Sequence, residues 1–152
     1  MEIMTNEPST PMLLLLLIPL FLVGFVLIWS GVVWLLAWLS GWRRLARHYR
    51  CAKAPDGTVF GTLWAMLGPV NHRGTLRIEP APEGLYLSTM VFFRIGHPPL
   101  LIPWHAIKRQ EKAQISLIKM VALDLGDPKI TTLRLPASMV DEAVLAQYLP
   151  KS

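Results

Sequence analysis

One apolar membrane-spanning helix, followed by a mainly β domain closed by a C-terminal helix, is the fold class this sequence predicts. Three observations predict it. Met12 to Leu39 is a run of 28 residues without a charged side chain. Residues 58–135 fall into short runs of alternating apolar residues between Gly- and Pro-rich turns. From Ser138 onward the apolar spacing changes from strand period to helix period.

The composition of the 152 residues excludes two broad classes. With 53% hydrophobic and 16% charged residues, there is enough apolar surface to bury and too little charge to keep a chain disordered. Cys51 is the sole cysteine, so no intrachain disulfide framework exists. A free thiol also suits a reducing compartment.

The apolar run is read as a transmembrane helix over 12–40. As a helix its 28 residues reach about 42 Å, beyond the roughly 30 Å of a hydrocarbon core. Tilt, a kink at Pro19 or extension into the headgroups would absorb the excess. A cleaved signal peptide fits poorly, because the start carries Glu2 and Glu7 with no Lys or Arg and the run is too long.

All fifteen Lys and Arg residues follow the run, five of them (Arg43, Arg44, Arg47, Arg50 and Lys53) within about 15 positions of it. The rule that basic flanks stay inside orients the chain. Residues 1–11 become a short non-cytoplasmic N-terminus, 41–56 a basic juxtamembrane segment and 57–150 a cytoplasmic domain. The expected location is a bacterial inner membrane. The isoelectric point near 9.7 is then mainly a topology signal and gives no reason to expect nucleic acid.

Trp34, Trp38 and Trp42 recur every four residues and share a helix face. Trp38 and Trp42 are expected at the inner membrane interface, with Arg43, Arg44, Arg47 and Arg50 beside anionic headgroups. The Trp face suits an aromatic belt or the docking of a partner helix, the latter helped by Gly24, Ser30 and Gly31. Helical spacing of Trp42, Leu45 and Tyr49 carries the helix through Gly41 to Arg50.

Ala54-Pro-Asp-Gly57 reads as the turn into the domain. Strands are expected at 58–67, 75–79, 85–94, 100–103, within 104–112, within 114–125 and at 130–135. Six or seven antiparallel strands so spaced suggest a barrel or a sandwich. Ser138-Met-Val-Asp141 resembles a capping box opening a helix to about residue 149. The expected core is Leu76, Ile78, Leu85, Leu87, Ile102, Ile107, Leu123, Leu133, Val144 and Leu145.

Strands followed by one terminal helix resemble the pleckstrin-homology-like superfold. The segment Gly84-Leu-Tyr-Leu-Ser88, followed by Phe93-Arg-Ile-Gly-His-Pro-Pro-Leu-Leu-Ile-Pro-Trp-His-Ala-Ile107, is similar to a family of bacterial single-pass membrane proteins. That resemblance covers about residues 41–110 and implies a small PH-like cytoplasmic domain, with no activity attached. The loop that carries phosphoinositide ligands in such domains offers only His72, Arg73 and Arg77 here, so no lipid-ligand residues carry over.

No catalytic motif is present. The four histidines form no HExxH, Cys51 has no CxxC partner, and there is no P-loop, GxGxxG or GxSxG. No catalytic residue, cofactor or metal is expected. Phe92, Phe93, Pro98, Pro99, Leu100, Leu101 and Trp104 are many large apolar groups for one loop. If part of them stays exposed, Arg94, His97, Leu101 and Trp104 form a partner-binding surface; the rival is a loop folded wholly inward. The expected function is a non-enzymatic, membrane-anchored module that holds a protein partner, or anionic lipid headgroups, at the cytoplasmic face. The alternatives are a small accessory subunit assembled through the membrane helix and an enzyme with an unrecognised site.

Overall fold

In the computed structural model, residues 9–52, 60–61, 64–115, 118–139 and 146–149 are described. The chain divides into two units at Val32/Val33. Helix α1 (Thr10–Leu39) runs through Pro19 without interruption and is long and apolar enough to cross a membrane. In its first unit the side chains are exposed on every side, as a helix apolar all round requires when nothing packs on it. Phe21, Phe25 and Trp29 stack at i, i+4 spacing, with ring centroids 6.4 and 6.2 Å apart.

The second unit begins inside α1. Val33 and Ala37, one turn apart, are buried at 1% and 0% exposure, and Ala37 belongs to the domain's main core. The helix then stops. Ser40 N–H still bonds Leu36 O at 2.9 Å, but Gly41 turns left-handed at φ 80°, a conformation that costs any residue with a Cβ about 1–2 kcal/mol. Helix α2 (Trp42–Tyr49) starts in a new direction. The helix expected to continue through Gly41 is thus two helices.

Among the described residues nine strands follow: β1 (Phe60–Gly61), β2 (Ala65–Leu67), β3 (Val70–His72), β4 (Leu76–Ala81), β5 (Gly84–Thr89), β6 (Leu100–Pro103), β7 (Ile107–Ile115), β8 (Ile118–Leu125) and β9 (Thr131–Pro136). They form two antiparallel sheets, ordered β1-β4-β5-β6 and β3-β2-β9-β8-β7, and not a closed barrel. The registers Ile78↔Leu87, Leu85↔Ile102 and Leu123↔Leu133 put apolar residues opposite one another, where cross-strand pairs stabilise a sheet. The two sheets share a core that includes Leu76, Ile78, Leu85, Leu87, Leu100, Ile102, Leu67, Leu123, Leu125 and Leu133. Each such side chain contributes about 1.5–3 kcal/mol by leaving water. Every expected core residue from Leu76 to Leu133 is buried, while Val144 and Leu145 lie outside the described residues.

Several strand boundaries differ from expectation. The 58–67 segment yields β1 and β2, and Gly68-Pro69 turns β2 into β3. The strand expected to run to Arg94 ends at Thr89, because its partner β4 begins at Leu76. Met90 N–H makes a last bond to Thr75 O, and Val91–Phe93 then forms a 3-10 turn. Trp104–Ala106 is a second 3-10 turn before β7. Of the terminal helix, residues 146–148 are helical and Ala137–Met139 is a 3-10 turn. Residues 140–145, on which most of that expectation falls, are outside the described residues.

On the second sheet, Asp124 of β8 ties its neighbours together. Its carboxylate accepts from Gln110 of β7 at 2.6 Å and from Thr132 of β9 at 2.7 Å, and pairs with Lys129 at 2.9 Å. Burial pushes the Asp124 carboxyl up, but the bonds from Lys129, Thr132 and Gln110 outweigh it and hold it below the usual range.

Candidate functional site at the helix-proximal end of the domain

The residues singled out from the sequence converge on the end of the domain that receives α1. Trp42 is the anchor of this region. It was expected at the membrane interface, yet its indole is fully buried in the core, with Nε1–H donating to Pro98 O at 2.9 Å. The break at Gly41 is the reason: it swings Trp42 off the face that carries Trp34 and Trp38, both of which remain exposed. Arg43 returns toward α1, its guanidinium 4.8 Å from the Trp34 ring centroid, a cation–π distance. Arg43, Arg44, Arg47 and Arg50 are exposed, while Leu45 of the same helix is buried. After α2 the chain runs along the edge of β6, where Arg50 bridges Leu100 and Cys51 N–H bonds Pro99 O at 2.9 Å.

Two histidines pack against Trp42. The His97 ring lies edge-on at 5.1 Å, and His72 stands 6.0 Å from His97. Both are buried, and Nε2 of each has no hydrogen-bond partner. Nδ1 of His97 lies 3.4 Å from Ile95 O, a bond that requires the Nδ1–H tautomer and leaves Nε2 an acceptor. Burial, reinforced by the neighbouring His97, pushes His72 down to about 4. Burial also lowers His97, against the upward pull of the Ile95 and Phe93 carbonyls. The two rings border a cleft of about 400 Å³ together with Leu36, Arg73 and Phe93. Neutral imidazoles can accept a hydrogen bond there. Among the described residues, no group of three or more His, Cys, Asp or Glu could hold a metal ion.

Arg94 is exposed, His97 is buried, and Leu101 and Trp104 are half-buried. Trp104 donates Nε1–H to Ala81 O at 2.8 Å and stacks on Tyr148 at 4.7 Å between centroids and 2° between planes. The structure therefore groups Arg94 with neither Leu101 nor Trp104 as an open surface.

Sequence reasoning counted Phe92 among the apolar groups of this loop but passed over Met90, Val91 and Ile95. Met90, Val91, Phe92 and Ile95 are 56%, 69%, 78% and 47% accessible, on the turn between β5 and β6. Gly96 pins this turn to α1: a Cβ there would lie 3.2 Å from Ala37 Cβ and 3.5 Å from Trp34 Cα. Beside it, Leu76, Arg77, Thr89, Val91, Phe92 and Arg94 border a second cleft of about 650 Å³. The signal that could have found it is the shortness of β4, which leaves Met90-Val-Phe-Phe93 without a strand to pair with.

Compared with family models, curated proteins and solved structures, the chain matches none.

Proposed function

We propose that this chain is a membrane-anchored, non-enzymatic binding module. In this reading α1 crosses a bacterial inner membrane once, and the β domain holds a protein partner at the cytoplasmic face. The observation that carries it is that residues 33–39 of α1 belong to the domain's own unit, through buried Val33 and Ala37. Once those turns are assigned to the domain, Met12–Val32 remains as the span. Its 21 residues make about 31 Å of helix, close to the roughly 30 Å of a hydrocarbon core. The excess length that called for tilt or kinking is taken up by the domain.

The test is recovery of a stoichiometric partner with the intact chain from mild detergent, repeated after residues 10–32 are exchanged for an unrelated apolar span. Recovery by both forms supports a module that binds through its domain. Recovery by the native span alone would replace this reading with an accessory subunit assembled through the helix. No stoichiometric partner for either form would overturn the binding function.

A further inference from the structure

We propose that the turn Met90–Ile95 is a second membrane contact, its apolar side chains seated in the headgroup and upper acyl region beside the end of α1. The proposal rests on the reading of α1 as a membrane span and adds the partner of this surface: a lipid bilayer with anionic headgroups.

The argument begins with exposure. Met90, Val91, Phe92 and Ile95 present four large apolar side chains to the surroundings within six residues. Contiguous apolar patches of this kind mark contact sites on soluble domains. The position of the patch decides what contacts it. Gly96, next to Ile95, lies against Trp34 and Ala37, and Phe93 shares a cleft with Leu36. The turn is therefore held beside the stretch of α1 that immediately follows Val32. With Met12–Val32 filling the hydrocarbon, Trp34 and Trp38 fall at interfacial depth, where exposed indoles are stable. Leu35 and Leu39 are exposed on the same stretch of helix.

Charge fits the same occupant. Arg94 is exposed within the turn, Arg73 flanks it, and Arg43 lies over the Trp34 ring; Arg77, also nearby, is paired with Glu79. Arg94, Arg73 and Arg43 accompany apolar groups as basic residues do on surfaces that dip into anionic bilayers. A protein partner would also cover the patch, but it would have to approach between the domain and the bilayer at the one place where the domain already abuts the emerging helix.

The test uses the full chain in vesicles of phosphatidylcholine with about a quarter phosphatidylglycerol. In a Cys51→Ser background, a polarity-sensitive thiol label is placed singly by Phe92→Cys, Leu27→Cys and Glu83→Cys. Leu27 lies in the proposed span, and Glu83 is at the opposite end of the β4–β5 hairpin, about 20 Å along the strands. Spin-labelled lipids then quench whatever is immersed. The expected result is a blue shift and quenching at positions 27 and 92, with an unquenched, water-like spectrum at 83. Quenching at 27 with a water-like label at 92 overturns the second contact and leaves the span standing. Equal quenching at 92 and 83 overturns the turn as a specific contact. No quenching at 27 overturns both the span and the contact built on it. Val91→Cys reads the same turn should Phe92→Cys alter the melting transition.

Discussion

Thr131 Oγ1–H donates a hydrogen bond to the carbonyl of Ser40 at 3.0 Å, joining the first strand residue of β9 to the end of a helix 91 positions earlier. Both residues are buried. The helix end leaves that carbonyl without an intrahelical donor, so the threonine hydroxyl supplies what water supplies at an exposed end. The joint is tight: a Cβ at Gly41 would lie 3.2 Å from Thr131 Cβ, and one at Gly68 would lie 3.1 Å from Thr131 Oγ1. Thr131→Val keeps the shape and strands the carbonyl, and is expected to cost about 1–3 kcal/mol. Thr131→Ser should recover most of it. Denaturation midpoints of the purified full chain measure both, and an unchanged midpoint for the valine variant would show that the bond contributes nothing.

Acid should weaken the domain in two steps. His72 and His97 are held below their unfolded value of 6.5, His72 at about 4. Between these values the unfolded chain binds the proton and the folded chain does not, so stability is full above pH 6.5 and falls as pH drops toward 4. Asp124, held below 3.8, then loses its contribution as pH falls further. His72→Gln should shrink the upper step to the part that His97 contributes and leave the lower one. Denaturation curves from about pH 7.5 down to about pH 2.5 check this, and an upper step of opposite sign would contradict the burial of neutral imidazoles.

Trp104 is expected to act through the fold. Its indole is fixed by Ala81 O and by the Tyr148 ring. Trp104→Ala should lower stability by about 2 kcal/mol, less than for a fully buried Trp because the residue is half-exposed. Trp104→Phe keeps the stacking and loses the bond, for about 1 kcal/mol. If the alanine variant kept its melting temperature and lost its protein partner, Trp104 would be a contact residue.

Gly41 explains much of what the sequence left hidden. The Trp34, Trp38, Trp42 spacing is continuous, and a single glycine inside a helical pattern does not by itself announce a break. Only the left-handed turn at Gly41 separates Trp42, buried under Pro98, from Trp38, which stays exposed. By contrast, Leu76-Arg-Ile78 and Leu133-Arg-Leu135 were legible because buried leucines and isoleucine alternate there with less buried arginines, and β5, buried at every position, was legible through its apolar run and flanking turns. The exposed turn was not. Val91-Phe-Phe93 has strand-forming composition, and what denies it a strand is the start of β4 at Leu76, a long-range fact. Likewise the closeness of His72 and His97, 25 positions apart, follows from pairing that no local pattern carries. Gly41→Ala should cost about 1–2 kcal/mol, read as a lower denaturation midpoint of the full chain; an unchanged midpoint would mean the break tolerates a side chain.

The most direct test of the anchored reading is protease added to sealed right-side-out membrane vesicles containing the full chain. The proposed topology predicts that residues 41–152 survive intact until the vesicles are lysed, and are then cut. Digestion of the domain before lysis, or release of the chain from the membrane by alkaline carbonate, would contradict it.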